Sequence, residues 1–178
     1  FDNVEIRKQY NIPSHKLTKQ IIKRGSPGLI LFSSGTSGKP KGAVHDFAKL
    51  LEKFKTKRKS LKILNFLLFD HWGGLNTMLH TLSNGGNVIT VQKRSPEAVC
   101  RMIQDYDIEV LPASPTFLNL MLISGAYKKY DLSSLKIISY GTEPMSKSTL
   151  SALNKLFPSI KLLQTYGLIE LGVMQSHS

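Results

Sequence analysis

A chain of 178 residues with 41% hydrophobic and 20% charged residues is large enough for one well-buried domain, short for two, and too apolar to stay disordered. No apolar run approaches the roughly 20 residues that cross a bilayer, and a single cysteine, Cys100, excludes an internal disulfide and a thiolate-rich metal site, which fits a reducing, cytoplasmic setting. The 24 basic against 12 acidic residues give a net charge of +12, an excess that draws anions: nucleic acid, acidic lipid or small phosphate ligands.

In chain order, Leu17, Ile21 and Ile22 predict a short amphipathic helix closed by Gly25. Leu29–Ser33 predicts a strand, followed by a Gly-rich turn and a helix over Val44–Lys57. Basic residues concentrate between Lys49 and Lys62, with Lys53, Lys55, Lys57, Arg58 and Lys59 among them. The cluster reads either as a solvated helix end and loop or as an anion-binding patch. Only Phe54 lies inside it, so recognition of single-stranded nucleic acid by stacking has little support and no nucleic-acid partner is expected.

Ile63–Phe69, interrupted by Asn65, predicts the second strand, and Gly74–Leu82 a helix that stops before Asn84-Gly85-Gly86. Asn87–Val91 predicts the third strand, and Ser95 caps the next helix with Pro96 at its first position. Ile108–Leu111 is a strand ended by Pro112, and Ser114-Pro115 repeats the cap-plus-proline signal before Thr116–Ile123. Leu135–Tyr140 is the fifth strand, Ser146 caps a helix running to Phe157, and Ile160–Thr165 is the sixth strand. Strands alternating with helices predict an α/β fold of three layers, a mostly parallel sheet covered on both faces. In such open sheets ligands bind along the edge formed by the strands' C-terminal ends.

The strongest chemical signal is Ser33-Ser34-Gly35-Thr36-Ser37-Gly38-Lys39-Pro40-Lys41-Gly42. Its three glycines let backbone N–H groups approach an anion, its four hydroxyls can bond phosphate oxygens or a metal-bound water, and its two lysines suit a polyphosphate. It is not a Walker A loop, because Ser33 and Pro40 stand where that pattern requires a glycine and a Ser/Thr.

This stretch, with Val44-His45 after it, resembles the phosphate-binding signature of the adenylate-forming superfamily: acyl-CoA synthetases, adenylation domains of peptide synthetases, and luciferases. The resemblance continues in order over about 28–170. Asp70-His71-Trp72-Gly73-Gly74 resembles the element beside the carboxylate pocket, and Leu111-Pro112-Ala113-Ser114-Pro115-Thr116 the next strand–helix junction. Gly141-Thr142-Glu143-Pro144-Met145 resembles the loop whose backbone lies along adenine, and Tyr166-Gly167-Leu168-Ile169-Glu170 the Tyr-Gly-x-Thr-Glu element.

The resemblance implies ATP-dependent activation of a small carboxylate as its acyl-adenylate, with release of pyrophosphate. Transfer of the acyl group to a thiol, of CoA or of a carrier protein, would follow. It implies that Ser34, Gly35, Thr36, Ser37, Gly38, Lys39, Lys41 and Gly42 fold over the phosphates, with Lys41 and Glu170 in catalytic positions. Gly141, Thr142, Glu143, Tyr166 and Gly167 would hold the base, Tyr166 by its ring face. Glu170 and Thr36 would hold Mg²⁺, and His71, Trp72 and Gly73 would line the acyl site. Two rival readings stay open, a non-catalytic nucleotide-binding module and a basic nucleic-acid-binding domain. The first draws on Ile169, which replaces the motif threonine whose hydroxyl meets the α-phosphate. Phe1 is not an initiator, so the chain is expected to be an internal, partial domain: a lead-in over 1–27, a nucleotide-binding core over 28–170, and no C-terminal domain.

Overall fold

The computed structural model describes residues 15–33, 41–168 and 172–174. The chain opens with helix α1 (Lys16–Lys23), whose end turns at Gly25 in a left-handed conformation (φ +61°) that favours glycine. Strands β1 (Gly28–Ser33) and β2 (Lys41–Asp46) then form an antiparallel hairpin, in register from Gly28 opposite Asp46 to Ser33 opposite Lys41.

The hairpin corrects the sequence expectation of a helix over Val44–Lys57. Val44, His45 and Asp46 belong to β2, because β1 supplies a full ladder of partners for their backbone groups. The helix begins only at α2 (Phe47–Leu51) and tightens into a 3₁₀ turn over Glu52–Phe54. Asp46 sets that boundary. Its carboxylate caps α2 by accepting from the Lys49 N–H (3.2 Å), and it also accepts from the Ser26 hydroxyl (2.8 Å). Arg24 pairs with it at 3.3 Å, which ties the end of α1 to the hairpin.

The remaining strands build one parallel sheet in the order β4-β3-β5-β6-β7, comprising β3 (Lys62–Leu64), β4 (Asn87–Ile89), β5 (Val110–Ala113), β6 (Ile137–Tyr140) and β7 (Lys161–Gln164). Helices α3 (Trp72–Ser83), α4 (Pro96–Tyr106), α5 (Pro115–Ser124) and α6 (Lys147–Leu156) connect them in turn. The chain steps from β3 outward to β4 and then back past β3 to β5. Right-handed crossovers therefore put α3 on one face of the sheet and α4 to α6 on the other. In keeping with this, α4 packs on α5 and α5 on α6. The expected three layers are present, but the first predicted strand stands in the hairpin rather than in the parallel sheet.

The core lies between the sheet and the α4–α6 layer, where Leu64, Val99, Ile103, Leu111, Leu118, Met121, Ile138 and Leu153 are completely buried. Cys100 is buried with them, and loss of solvent pushes its thiol up to about 11. Strand β5 is buried at every position, Pro112 included. Pro112 lies within the strand instead of ending it. The β3–β5 pairing is confined to Ile63 opposite Val110, so on the β3 side a residue without an N–H interrupts no ladder. Strand β3 is likewise shorter than the predicted Ile63–Phe69: after the Asn65 N–H reaches the Ile89 carbonyl (2.8 Å) the chain turns toward α3. Short antiparallel strands β8 (Tyr166–Leu168) and β9 (Gly172–Met174) follow the sheet. Among the described residues no helix is long and apolar enough to cross a membrane.

At the N-terminal end of the sheet Glu109 joins three strands. Its carboxylate accepts the Lys62 N–H (2.8 Å) and pairs with the Lys136 ammonium, while its main chain bonds Lys62 and Lys136. The Lys136 bond, then the Lys62 N–H, holds the Glu109 carboxyl below its ordinary value. A lowered folded pKa means that this stabilisation is present above the ordinary glutamate range and is lost as pH falls through the lowered value. Glu109→Gln should therefore cost about 1 kcal/mol at pH 7, a screened surface contribution, and should lose less stability than the parent on acidification. Urea unfolding at pH 7 and pH 4 checks both.

Candidate functional site

Every parallel strand that carries a motif releases it at the same edge. Asp70 and His71 follow β3, Ser114–Thr116 follow β5, Gly141–Glu143 follow β6, and Tyr166 and Gly167 follow β7. This is the C-terminal edge, and the β3/β5 junction is its topological switch point, where the chain order reverses. Ser34, Gly35, Thr36, Ser37, Gly38, Lys39, Ile169 and Glu170 lie outside the described residues. Of the Ser33–Gly42 signature, Ser33, Lys41 and Gly42 are described: Ser33 ends β1, while Lys41 and Gly42 begin β2, with Lys41 exposed opposite Ser33 and Gly42 opposite Phe32. The loop thus joins two antiparallel strands and does not leave a strand of the parallel sheet.

The β6 and β7 exits are locked together. The Thr165 N–H (2.7 Å) and hydroxyl (3.1 Å) both donate to the Tyr140 carbonyl. Thr165 crowds Gly141 so closely that a Cβ there would lie 2.6 Å from its Oγ1 and against its carbonyl oxygen. Only glycine fits at position 141. The next residue, Thr142, sits at φ +74°, a strained conformation for a β-branched residue, with its hydroxyl donating to the Gly141 carbonyl (2.5 Å). Tyr166, immediately after Thr165, is 55% exposed.

Glu143 turns away to the neighbouring helix. One carboxylate oxygen accepts the Thr116 N–H (2.9 Å) and the other the Thr116 hydroxyl (2.8 Å), and these bonds hold its carboxyl below the ordinary value. Ser114 caps the same helix by accepting from Phe117 N–H (3.1 Å), and Pro115 has no N–H to satisfy. The first turn of α5 is therefore closed by protein groups.

On the other side of the switch point, exposed His71 occupies the N-cap of α3 without capping it by its ring. Trp72 is 4% exposed, stacked on His45 of β2 with ring centres 5.5 Å apart and planes 5° from parallel. The Lys53 ammonium lies 4.9 Å from its centre. The indole N–H and His45 Nε2 are buried without a hydrogen-bond partner among the described residues. Buried Asn65 donates to the Gly74 carbonyl (2.9 Å), which joins the end of β3 to the first turn of α3. His71 is thus placed at the open edge, whereas Trp72 packs the hairpin onto α3.

Sequence reasoning did not find the Glu143–Thr116 contact, the strain at Thr142 or the His45–Trp72 stack. Only Asn65 carried a visible signal, a polar residue inside an apolar run. Among the described residues no group of three or more His, Cys, Asp and Glu side chains could hold a metal ion.

The two glycines after Trp72 play unequal parts. A Cβ on Gly73 would meet Leu67 Cδ1 at an ordinary 3.5 Å, while one on Gly74 would lie 2.9 Å from the Leu67 carbonyl oxygen and overlap the Leu68 backbone. Gly74→Ala should destabilise by about 1–3 kcal/mol as an overpacked site. Gly73→Ala should change stability by less than about 1 kcal/mol, near the difference in helix propensity. Urea midpoints of the two variants make the comparison.

Residues 2–177 match the family model described as AMP-binding enzyme. Acyl-CoA synthetase 7 of Caenorhabditis elegans is 33% identical over 79% of the chain, and luciferin 4-monooxygenase of Photinus pyralis is 32% identical over 80%. The chain spans 29% and 28% of their respective lengths. Among solved structures, the luciferase-like enzyme of the nonluminescent Zophobas morio mealworm aligns with a TM-score of 0.72 at 27% identity, covering 82% of this chain and 35% of that one. The amide bond synthetase McbA of Marinactinospora thermotolerans aligns with a TM-score of 0.71 at 26% identity, covering 82% and 30%. The alternating strands and helices, the glycine-rich signature and the motifs gathered at one sheet edge are those of a chain that belongs to the AMP-binding enzyme family.

Proposed function

We propose that the full-length protein activates a small carboxylate with ATP. A carboxylate oxygen forms a bond to the α-phosphorus, the bond from that phosphorus to the bridging oxygen breaks, and pyrophosphate leaves with its electron pair. The observation that carries this reading is the close approach of Gly141 to Thr165 at the C-terminal sheet edge, which brings the starts of the two motifs together, inside a family match that spans residues 2–177. In this reading the Tyr166 ring and the Gly141-Thr142-Glu143 loop take the base, with Gly167 beside them. Ser34–Gly42 take the phosphates, and Lys39 and Lys41 offset charge that grows on the leaving pyrophosphate. Glu170 and Thr36 are the residues assigned to Mg²⁺, which supplies charge neutralisation when bound. His71 and Gly73 border the acyl side, with Trp72 supporting them from beneath.

For the second half-reaction we favour CoA over a carrier-protein thiol, because the relatives include an acyl-CoA synthetase at 33% identity and proteins named 4-coumarate–CoA ligase-like. Attack of the thiol sulfur on the acyl carbonyl would release AMP and leave a thioester. The chain supplies the nucleotide-binding part of this reaction, and on its own it is expected to bind nucleotide weakly without turnover. A cytoplasmic setting is part of the reading, although one relative is named peroxisomal.

Ile169 favours a second reading, a nucleotide-binding module without catalysis, since isoleucine offers the α-phosphate no hydrogen bond. ATP–pyrophosphate exchange by the full-length protein, measured across a panel of carboxylates, separates the two. Carboxylate-dependent exchange supports activation, and none with any carboxylate supports the binding module. Ile169→Thr should raise the exchange rate by about 10- to 1000-fold, as a restored transition-state donor would. Equal rates would show that another group already makes that contact.

A further inference from the structure

Glu143 belongs to the loop assigned to the base, yet its carboxylate faces away from Gly141 and Thr142 and into the first turn of α5. Both oxygens are engaged there by Thr116, 27 residues earlier in the chain. The helix offers two free first-turn donors after Pro115: Ser114 takes Phe117 N–H, and Glu143 takes Thr116 N–H. A carboxylate at this end of a helix also meets the favourable end of its dipole. The bond is therefore charge-assisted and two-pronged, which makes it directional as well as strong.

The loop needs such a restraint. Gly141 is pinned on one side by Thr165, and Thr142 is bent into positive φ, a conformation that a β-branched residue holds only when its surroundings over-determine it. Thr142 itself is exposed, and among the described residues its hydroxyl bonds only the preceding carbonyl. The next anchor along the chain is Glu143. With the Tyr140–Thr165 bonds before the bend and the Glu143–Thr116 bonds after it, the strained residue is clamped at both ends.

We infer that Glu143 is a positioning residue for nucleotide binding: its carboxylate latches the β6–α6 loop to the N-terminus of α5 and so holds Gly141-Thr142 in the shape on which the base rests. This rests on the reading that residues 141–143 lie along the base. It differs from a direct contact, in which the same carboxylate would accept a hydrogen bond from the base's exocyclic amine. It also couples two neighbouring loops of the edge, since a shift of α5 would be transmitted to the base platform through one side chain.

The experiment measures dissociation constants of ATP and of ITP, which carries a 6-oxo group in place of the amine, by calorimetry on the full-length protein. The variants are Glu143→Gln, Thr116→Val and the double variant, with Tyr166→Ala as the control for the base site. The latch predicts that each single variant weakens both nucleotides by the same factor, about tenfold for the loss of one charge-assisted preorganising contact. The double variant should weaken binding by less than the product of the two single effects, because both act on the same contact. A change in the ATP-to-ITP ratio for Glu143→Gln would overturn the latch in favour of a direct base contact. Unchanged ATP affinity, or full additivity in the double variant, would also overturn it. Should Glu143→Gln fail to fold, Thr116→Val removes only the hydroxyl half of the latch and carries the same comparison. If Tyr166→Ala leaves ATP affinity unchanged, the base-site reading itself falls. If Tyr166→Ala weakens ATP and the latch variants do not, only the latch falls.

Discussion

The carbonyl of Tyr140 accepts two hydrogen bonds from Thr165, one from its N–H and one from its hydroxyl, and much of the candidate site depends on that convergence. It draws the ends of β6 and β7 together one residue beyond their ladder. The approach leaves no room for a side chain at 141, so the glycine is required by contact rather than by flexibility. It also forces the chain to leave the sheet sharply, which is where Thr142 acquires its positive φ. Tyr166 follows Thr165 directly, so the aromatic residue and the strained loop leave the sheet at the same place.

The helices were legible in the sequence because their starts are local events. Ser95-Pro96, Ser114-Pro115 and Ser146 each cap the helix they were expected to cap, with the side-chain oxygen accepting an N–H three residues on. The alternation of strands and helices likewise gave the layered parallel sheet. What stayed hidden depends on partners distant in sequence. Val44–Asp46 has the composition of a helix start, and only the presence of β1 alongside it makes it a strand. Pro112 reads as a strand terminator until β3 is seen to have ended beside it.

The site was legible as a set of motifs and much less so as a set of roles. Glu143 stands in the adenine-loop motif, but its side chain works on Thr116, 27 residues away, and no local pattern announces that. Trp72 stands in the acyl-side motif, yet it is almost fully buried against His45. In both cases the motif lies at the C-terminal sheet edge while the side chain answers to a neighbour from another element. Gly73 and Gly74 differ in the same way: adjacent and identical in sequence, only one is pressed against another stretch of backbone.

The hairpin and the parallel sheet exchange no ladder bond among the described residues; they are separate sheets. Helix α3 lies between them, stacked through Trp72 on the hairpin's His45 and packed against β4, β8 and β9. Under the proposed reading the phosphate end of the nucleotide rests on one sheet and the base end on the other. The stiffness between those ends is then set by side-chain packing, which yields gradually, and not by a hydrogen-bonded ladder, which holds its register or breaks. A nucleotide spanning both would act as a strut between two bodies that the aromatic stack and the contacts of Lys53 and Phe54 with α3 otherwise hold together.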